Sequence, residues 1–263
     1  MRKVSGLLLF NFLIIIGCRF PQSDNETNCH RQVPFSAEIF TQNNLISTES
    51  DISGSPTPSQ DPPWELKLQD LGLVDIQTYV PDAIVWIRYA DSSNFTGKPI
   101  YRGLKKCYLQ NLAAEKLKKA NELLKSEFPQ LRFLIWDCAR PLSAQKRLWN
   151  EAPLTKAEKW KYLSNPDQGS VHNFGLAIDL TLADSSGRML DMGTDFDYFG
   201  EAAQPIREVE SVMQGIISES ALKNRKLLRK IMRRAGFSYI PHEWWHFNAL
   251  PREEAIRRYS LLP

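Results

Sequence analysis

A chain of 263 residues, 43% hydrophobic and 24% charged, has an ordinary globular composition, enough for one sizeable core plus appendages. A formal net charge of +3 is too small to imply a nucleic-acid partner, and neither a Gly-rich phosphate loop nor an RNA-binding aromatic signature is present.

The chain opens with MRKVSGLLLFNFLIIIGC, in which Arg2 and Lys3 precede an apolar run too short and too early for a membrane span. Residues 1–18 therefore read as a secretory signal. The ending Ile15-Ile16-Gly17-Cys18 is similar to a bacterial lipobox, in which Cys18 becomes the lipidated first residue of the mature protein. The alternative is a simple signal peptide followed by a chance cysteine. Either way the chain is expected to be exported, as a periplasmic or cell-surface protein, with Cys18 as the membrane anchor if the lipobox holds. Residues 19–63 are rich in Ser, Thr, Asn, Asp and Pro with few periodic apolar positions. Such a stretch buries too little surface to offset its ordering entropy and reads as a flexible tether.

One folded domain is expected over 64–263. AIVWIRYA, residues 83–90, reads as a strand and is followed by a polar Gly/Pro loop. Residues 109–128 place leucine and alanine at helical spacing with Lys and Glu between them. LRFLIWD, 131–137, is apolar on both faces and reads as a central strand; Ser143 is a candidate cap for a short helix reaching Trp149. From Leu176 the pattern alternates, with Leu176, Ile178, Leu180 and Leu182 on one face and Ala177, Asp179, Thr181 and Ala183 on the other. A last helix, 224–236, turns Leu227, Leu228, Ile231 and Ala235 inward and stops at Gly236. Its outer face would carry Arg225, Lys226, Arg229, Lys230, Arg233 and Arg234, either a contact for anionic lipid or wall polymer or simply a solvated helix face. Helices and strands do not alternate strictly, so the class is α+β. Cys107 and Cys138 either pair or stay as separate buried thiols.

Near the C-terminus, PHEWWHF contains H-E-x-x-H, which on a helix holds zinc between its two histidines. Here Pro241 precedes the motif, aromatic residues fill it, and Pro251 follows, which suggests a short strand. The seventeen residues after His246 contain no histidine to complete a helical site. Partners must come from elsewhere, and His172 is the remaining histidine of the domain. Asp179, in a strand interior beside small Ala177, needs a cation, a donor network or solvent. His172, Asp179 and His246 would make a two-histidine, one-carboxylate set with a fourth position open to water, the arrangement of catalytic zinc, one ion per chain. Glu243 could then act as base and His242 is superfluous. In a regular strand Glu243 and His246 project to opposite faces, so a bulge or turn must re-aim one of them.

Ser170-x-His172-x-x-Gly175-x-Ala177-x-Asp179 followed by Glu243-x-x-His246 closely resembles the D-alanyl-D-alanine dipeptidases, the VanX-type zinc peptidases, and more distantly the D-Ala-D-Ala carboxypeptidases and the Hedgehog signalling domain. RYADSSNFTGKP, WDCARP, DMGTDFDYF and EWWHFN extend the resemblance over most of the domain. It implies a central, mainly antiparallel sheet flanked by helices. It also implies zinc on His172, Asp179 and His246, Glu243 as general base, and Arg140 as the donor to the transition-state oxyanion. The substrate's ammonium would be held by Asp197, helped by Tyr89 and the backbone around Ser170. The chain departs from the family at Cys138 and Ala139, where Gly and Tyr are usual, and at Asn173 and Phe174, where Ser and Arg are common. Asp137 is expected to buttress Arg140, and Trp244 and Trp245 to form core and pocket wall. The expected activity is hydrolysis of D-Ala-D-Ala or a similar dipeptide. A D,D-carboxypeptidase or endopeptidase acting on peptidoglycan, or a non-catalytic zinc-stabilised wall-binding module, are the alternatives.

Overall fold

The structure, a computed structural model, describes residues 64–101 and 103–263. The signal expected over 1–18 and the tether over 19–63 lie outside the described residues. α1 (Trp64–Asp70) leads into β1 (Val74–Asp75), and β2 (Ile84–Val85) is followed by a 3-10 turn at Arg88–Ala90. The strand expected over 83–90 is thus shortened to two residues. Beyond Trp86, whose N–H still reaches Ile135 O at 2.9 Å, local bonding takes over. The Asn94 amide gathers the carbonyls of Arg88, Asp91 and Lys98 at 2.7–3.1 Å, curling the chain so that Tyr89 turns inward.

β3 (Tyr108–Leu109) pairs antiparallel with β1 and precedes α2 (Asn111–Glu127), which buries Ala113, Leu117, Ala120 and Leu124 along one stripe. β4 (Arg132–Asp137) follows, then α3 (Leu142–Glu151) and α4 (Lys156–Tyr162). Ser143 does not cap α3. The helix starts two residues earlier, with Pro141 at the cap position, and the Leu142 N–H is satisfied by Leu262 O at 2.9 Å. After a 3-10 turn at Val171–Phe174 come β5 (Ala177–Ala183), α5 (Glu208–Met213), α6 (Glu219–Arg234), β6 (Ser238–Tyr239), β7 (His246–Asn248) and α7 (Arg252–Arg258).

Five strands form one sheet in the order β2-β4-β5-β7-β6, parallel only between β2 and β4. This is the expected α+β architecture with a mainly antiparallel sheet. α2 packs on β4 and α6 on β5, and the two helices touch each other. All seven residues of β5 are buried, so Ala177, Asp179, Thr181 and Ala183 face protein rather than solvent.

α6 begins five residues before the expected start, where Ser218 Oγ accepts the Ala221 N–H at 2.9 Å. Leu228, Ile231 and Ala235 are buried as expected and Leu227 is half-buried. Arg225 corrects the expected basic face. At 1% exposure it points into the molecule, and the outward cations include Lys230 and Arg234, both paired with Glu127. Cys107 and Cys138 form a disulfide with their Cα atoms 5.5 Å apart, tying the strand before α2 to the end of β4.

Candidate active site

Three strand ends meet at the site. Asp179 of β5 lies opposite His246 of β7 on one side and Asp137 of β4 on the other, with a register shift between Ile135 and Asp137 that re-aims the β4 terminus. His172 sits on the 3-10 turn that feeds β5. That turn closes on Gly175 at φ +68°, where a side chain would strike Leu73 at 2.8 Å.

The result is a tight cluster. His172 Nε2 is 3.3 Å from Asp179 Oδ2, His246 Nδ1 is 3.0 Å from Asp179 Oδ1, and the two ring nitrogens are 3.2 Å apart. All three residues are buried. The outer nitrogens decide what these inner atoms are. His172 Nδ1 donates to the Cys138 carbonyl at 2.7 Å, and His246 Nε2 donates to Asn248 Oδ1 at 2.8 Å. With the protons on the outside, two imidazole lone pairs and a carboxylate converge on one point. Three acceptors held that close are mutually repulsive without a cation between them, so the donor set fits a metal ion. In the protein's own field burial would push the Asp179 carboxyl up, but the two histidines hold it far below its ordinary value. His246 is moved the other way: burial alone would lower it, and Asp179 lifts it to about 8.

Glu243 lies in the turn just before β7, and its carboxylate comes within 3.7 Å of His246 Nδ1. The turn is the re-aiming device that the spacing of Glu243 and His246 demanded. Desolvation in the cleft raises the Glu243 carboxyl, partly offset by His246. His242 is exposed and outside the cluster. Asp137, as expected, buttresses Arg140. It accepts from Nε at 3.0 Å and Nη2 at 2.5 Å, while Nη1 binds Gln145 Oε1 at 2.8 Å. Tyr101 donates to the other Asp137 oxygen.

On the facing wall the Tyr89 hydroxyl donates to Asp197 Oδ2 at 2.8 Å. Desolvation pushes Asp197 well above the ordinary carboxylate range, and the Tyr89 bond only partly counters it. Asp197 sits at φ +57°, the one non-glycine with a left-handed backbone among the described residues. Ser170 Oγ accepts the His172 N–H at 3.4 Å, so its side chain shapes the histidine turn. Tyr89, Arg140, Ser170, His172, Asp179, Asp197, Glu243 and His246 all line a single cavity of about 590 Å³. Trp244 and Trp245 are buried and Trp245 forms part of the wall.

Sequence reasoning missed the residues that hold these groups in place. Asn173 accepts the Ser170 N–H at 2.6 Å and donates to the Arg140 carbonyl at 2.8 Å, while the Arg140 N–H binds His172 O at 3.0 Å. Asn173 and Cys138, two of the departures from the family pattern, thus weld the arginine segment to the histidine turn. Asn248 carried one signal: a polar residue two positions from His246 shares its strand face.

A metal-ligand triad, an adjacent carboxylate and a buried arginine in one cleft of an α+β fold define a metallopeptidase site. The comparisons are more specific. The peptidase M15 family, described as D-Ala-D-Ala dipeptidase, matches residues 69–261. The chain is 36% identical over 175 residues to the D-alanyl-D-alanine dipeptidase of Escherichia coli K12, covering 66% of this chain and 83% of that protein. The enzyme of the same name from Enterococcus faecalis V583 is 30% identical over 177 residues, covering 62% and 84%. That of Synechocystis is 28% identical over 176, covering 56% and 71%. The chain belongs to the D-Ala-D-Ala dipeptidase family of metallopeptidases.

Proposed function

We propose that this is an exported zinc dipeptidase acting on D-Ala-D-Ala or a similar dipeptide with a free amino end, held at a membrane by a lipid on Cys18. Two imidazole nitrogens and one carboxylate are the ligand chemistry that suits a single catalytic zinc. The Cys107–Cys138 disulfide supports export to an oxidising compartment. No helix among the described residues is long and apolar enough to cross a membrane, so attachment in this reading rests on the N-terminal segment.

Zinc bound by His172, Asp179 and His246 supplies Lewis acidity toward the scissile carbonyl and toward water. Glu243 accepts a proton from the attacking water as its oxygen bonds to the carbonyl carbon. It then returns that proton to the amide nitrogen as the C–N bond breaks, so one water is consumed for two amino acids released. Arg140, held rigid by Asp137 and Gln145, stabilises negative charge on the carbonyl oxygen. Asp197, with the Tyr89 hydroxyl, receives the substrate ammonium, and Ser170 helps through its backbone.

The observation that carries this reading is the Asp197–Tyr89 pair in the same cavity as the ligand cluster. A carboxylate there favours a free ammonium and penalises an amino end blocked by further chain. Hydrolysis of free D-Ala-D-Ala should exceed that of its N-acetylated form and of a longer stem peptide by about a hundredfold or more. A preference for the blocked peptides would instead point to a carboxypeptidase and overturn the assignment. Glu243→Ala should keep its metal content and lose about a hundredfold or more in rate; unchanged activity would remove the base from the mechanism.

A further inference from the structure

Arg225 is a buried ion that the mechanism leaves unused. It projects from α6 with 1% of its surface exposed, and among the described residues no carboxylate hydrogen-bonds to it. Its three contacts go to neutral acceptors on one loop. Nε donates to Met192 O at 2.6 Å, Nη1 to Ala202 O at 2.7 Å, and Nη2 to Thr194 Oγ1 at 3.2 Å. Met192 and Ala202 are the two ends of the segment whose middle carries Asp197. The nearby acid, Glu208, is engaged by Arg229 instead. Burial lowers the guanidinium to about 10, which still leaves it charged at neutral pH. A buried cation with only neutral partners is costly, and an apolar side chain would fill the space more cheaply. What the guanidinium adds is a rigid planar fork that serves three acceptors at once.

The same contacts reach the other wall of the cleft. Thr194 Oγ1 also accepts from Trp244 Nε1 at 2.8 Å, the Trp244 N–H binds Ala203 O at 3.1 Å, and the Arg225 guanidinium lies 5.4 Å from the Trp244 ring centre. Trp244 is the residue after Glu243. At the middle of the loop Asp197 keeps its left-handed backbone, a conformation that persists only where the surroundings over-determine it. Phe196 packs against Trp136 and Trp245 on one side of Asp197, and Tyr89 meets its carboxylate. Arg88 forks onto Asp195 at 3.2 Å, but Asp195 is largely exposed and this second tie is weak.

We propose that Arg225 is a positioning residue for substrate selection: its guanidinium closes the loop 192–202 at both ends, holds Asp197 at the substrate's amino end, and locks that loop to the Glu243 segment through Thr194 and Trp244. The proposal rests on the ammonium-binding role of Asp197. It assigns discrimination between free and blocked dipeptides to a residue that touches neither substrate nor metal.

The test compares Arg225→Lys, Arg225→Gln, Asp197→Asn and the double variant Asp197→Asn/Arg225→Lys. The readouts are KM and kcat for free D-Ala-D-Ala, the inhibition constant of its N-acetylated form, bound metal and thermal unfolding. Arg225→Lys keeps the charge but cannot serve three acceptors in a plane. It should raise KM about tenfold with a smaller change in kcat, narrow the gap between free and blocked ligands, and leave metal content intact. In the Asp197→Asn background the same change should add little to KM, because the group it positions is gone. A folded Arg225→Lys with unchanged KM overturns the proposal, as does a KM penalty that persists in full in the double variant, which a merely structural role would produce. Should neither Arg225 variant fold, Thr194→Val decides: it removes one link of near-equal volume and should raise KM about threefold, whereas an unchanged KM overturns the clamp. If Asp197→Asn itself leaves KM untouched, the ammonium reading has failed and the proposal falls with it. If Asp197→Asn raises KM and the folded Arg225 variants do not, only the clamp fails.

Discussion

Asp179 and Asp197 line the same cavity, yet their surroundings push them in opposite directions. Asp179 is a strand residue in regular register with His246, and two imidazoles hold its carboxylate ionised against the cost of burial. Asp197 stands on a loop with a left-handed backbone, and its nearest hydrogen-bond partner is the neutral Tyr89 hydroxyl. Desolvation dominates there, and the negative charges of Asp179 and Glu243 add to it. Asp179 shares its point of convergence with two imidazole nitrogens, whereas Asp197 meets only a neutral hydroxyl. In the reading proposed above, that shortfall is what a substrate ammonium would make good.

The comparison can be broken most severely at Asp179. Asp179→Asn replaces the one anionic ligand by a neutral amide, and both metal content and dipeptide hydrolysis should fall to background; metal retained in full would show that the two histidines suffice. Asn248→Ala is a milder test of the same side. Without its carbonyl oxygen the His246 ring loses the acceptor that keeps Nδ1 free for the metal, and affinity measured by chelator competition should drop about tenfold. An unchanged affinity would mean that packing alone orients the ring.

The smallest effect, of opposite sign, belongs to Asp197. Because the native carboxyl is raised, the folded protein keeps a proton that the unfolded chain releases above about pH 4. Native stability therefore declines as pH rises from there toward the raised folded value, and an amide escapes the decline. Asp197→Asn should unfold at a higher temperature than the parent at pH 7 in the metal-free protein, with the difference vanishing near pH 4 and below. A lower midpoint at pH 7 would reveal a countercharge already beside Asp197.

How much of this was legible in the chain follows from the range of each signal. His172, Asp179, Glu243 and His246 stood out because residue type, spacing and strand alternation are local properties, and the required turn before His246 followed from a simple conflict of faces. The two-residue length of β2 was not legible, since β-propensity over 83–90 is overridden by the carbonyls that Asn94 collects. Arg225 was misread for a related reason. A helical pattern tells which residues share a face but not what lies above that face, and here the loop 192–202 covers the position.

The sequence by itself determined the chemistry available: two imidazoles, a strand carboxylate, a second carboxylate three residues before the last histidine, and the α+β class. Only the tertiary structure decided what those groups face. The proton positions on His172 and His246 depend on the Cys138 carbonyl and on Asn248, the choice between a disulfide and two thiols depends on a 5.5 Å separation, and the backbone of Asp197 is held by a loop tied down from α6. Side-chain type is written residue by residue, whereas a hydrogen-bond partner or a countercharge exists only once distant segments have been packed together.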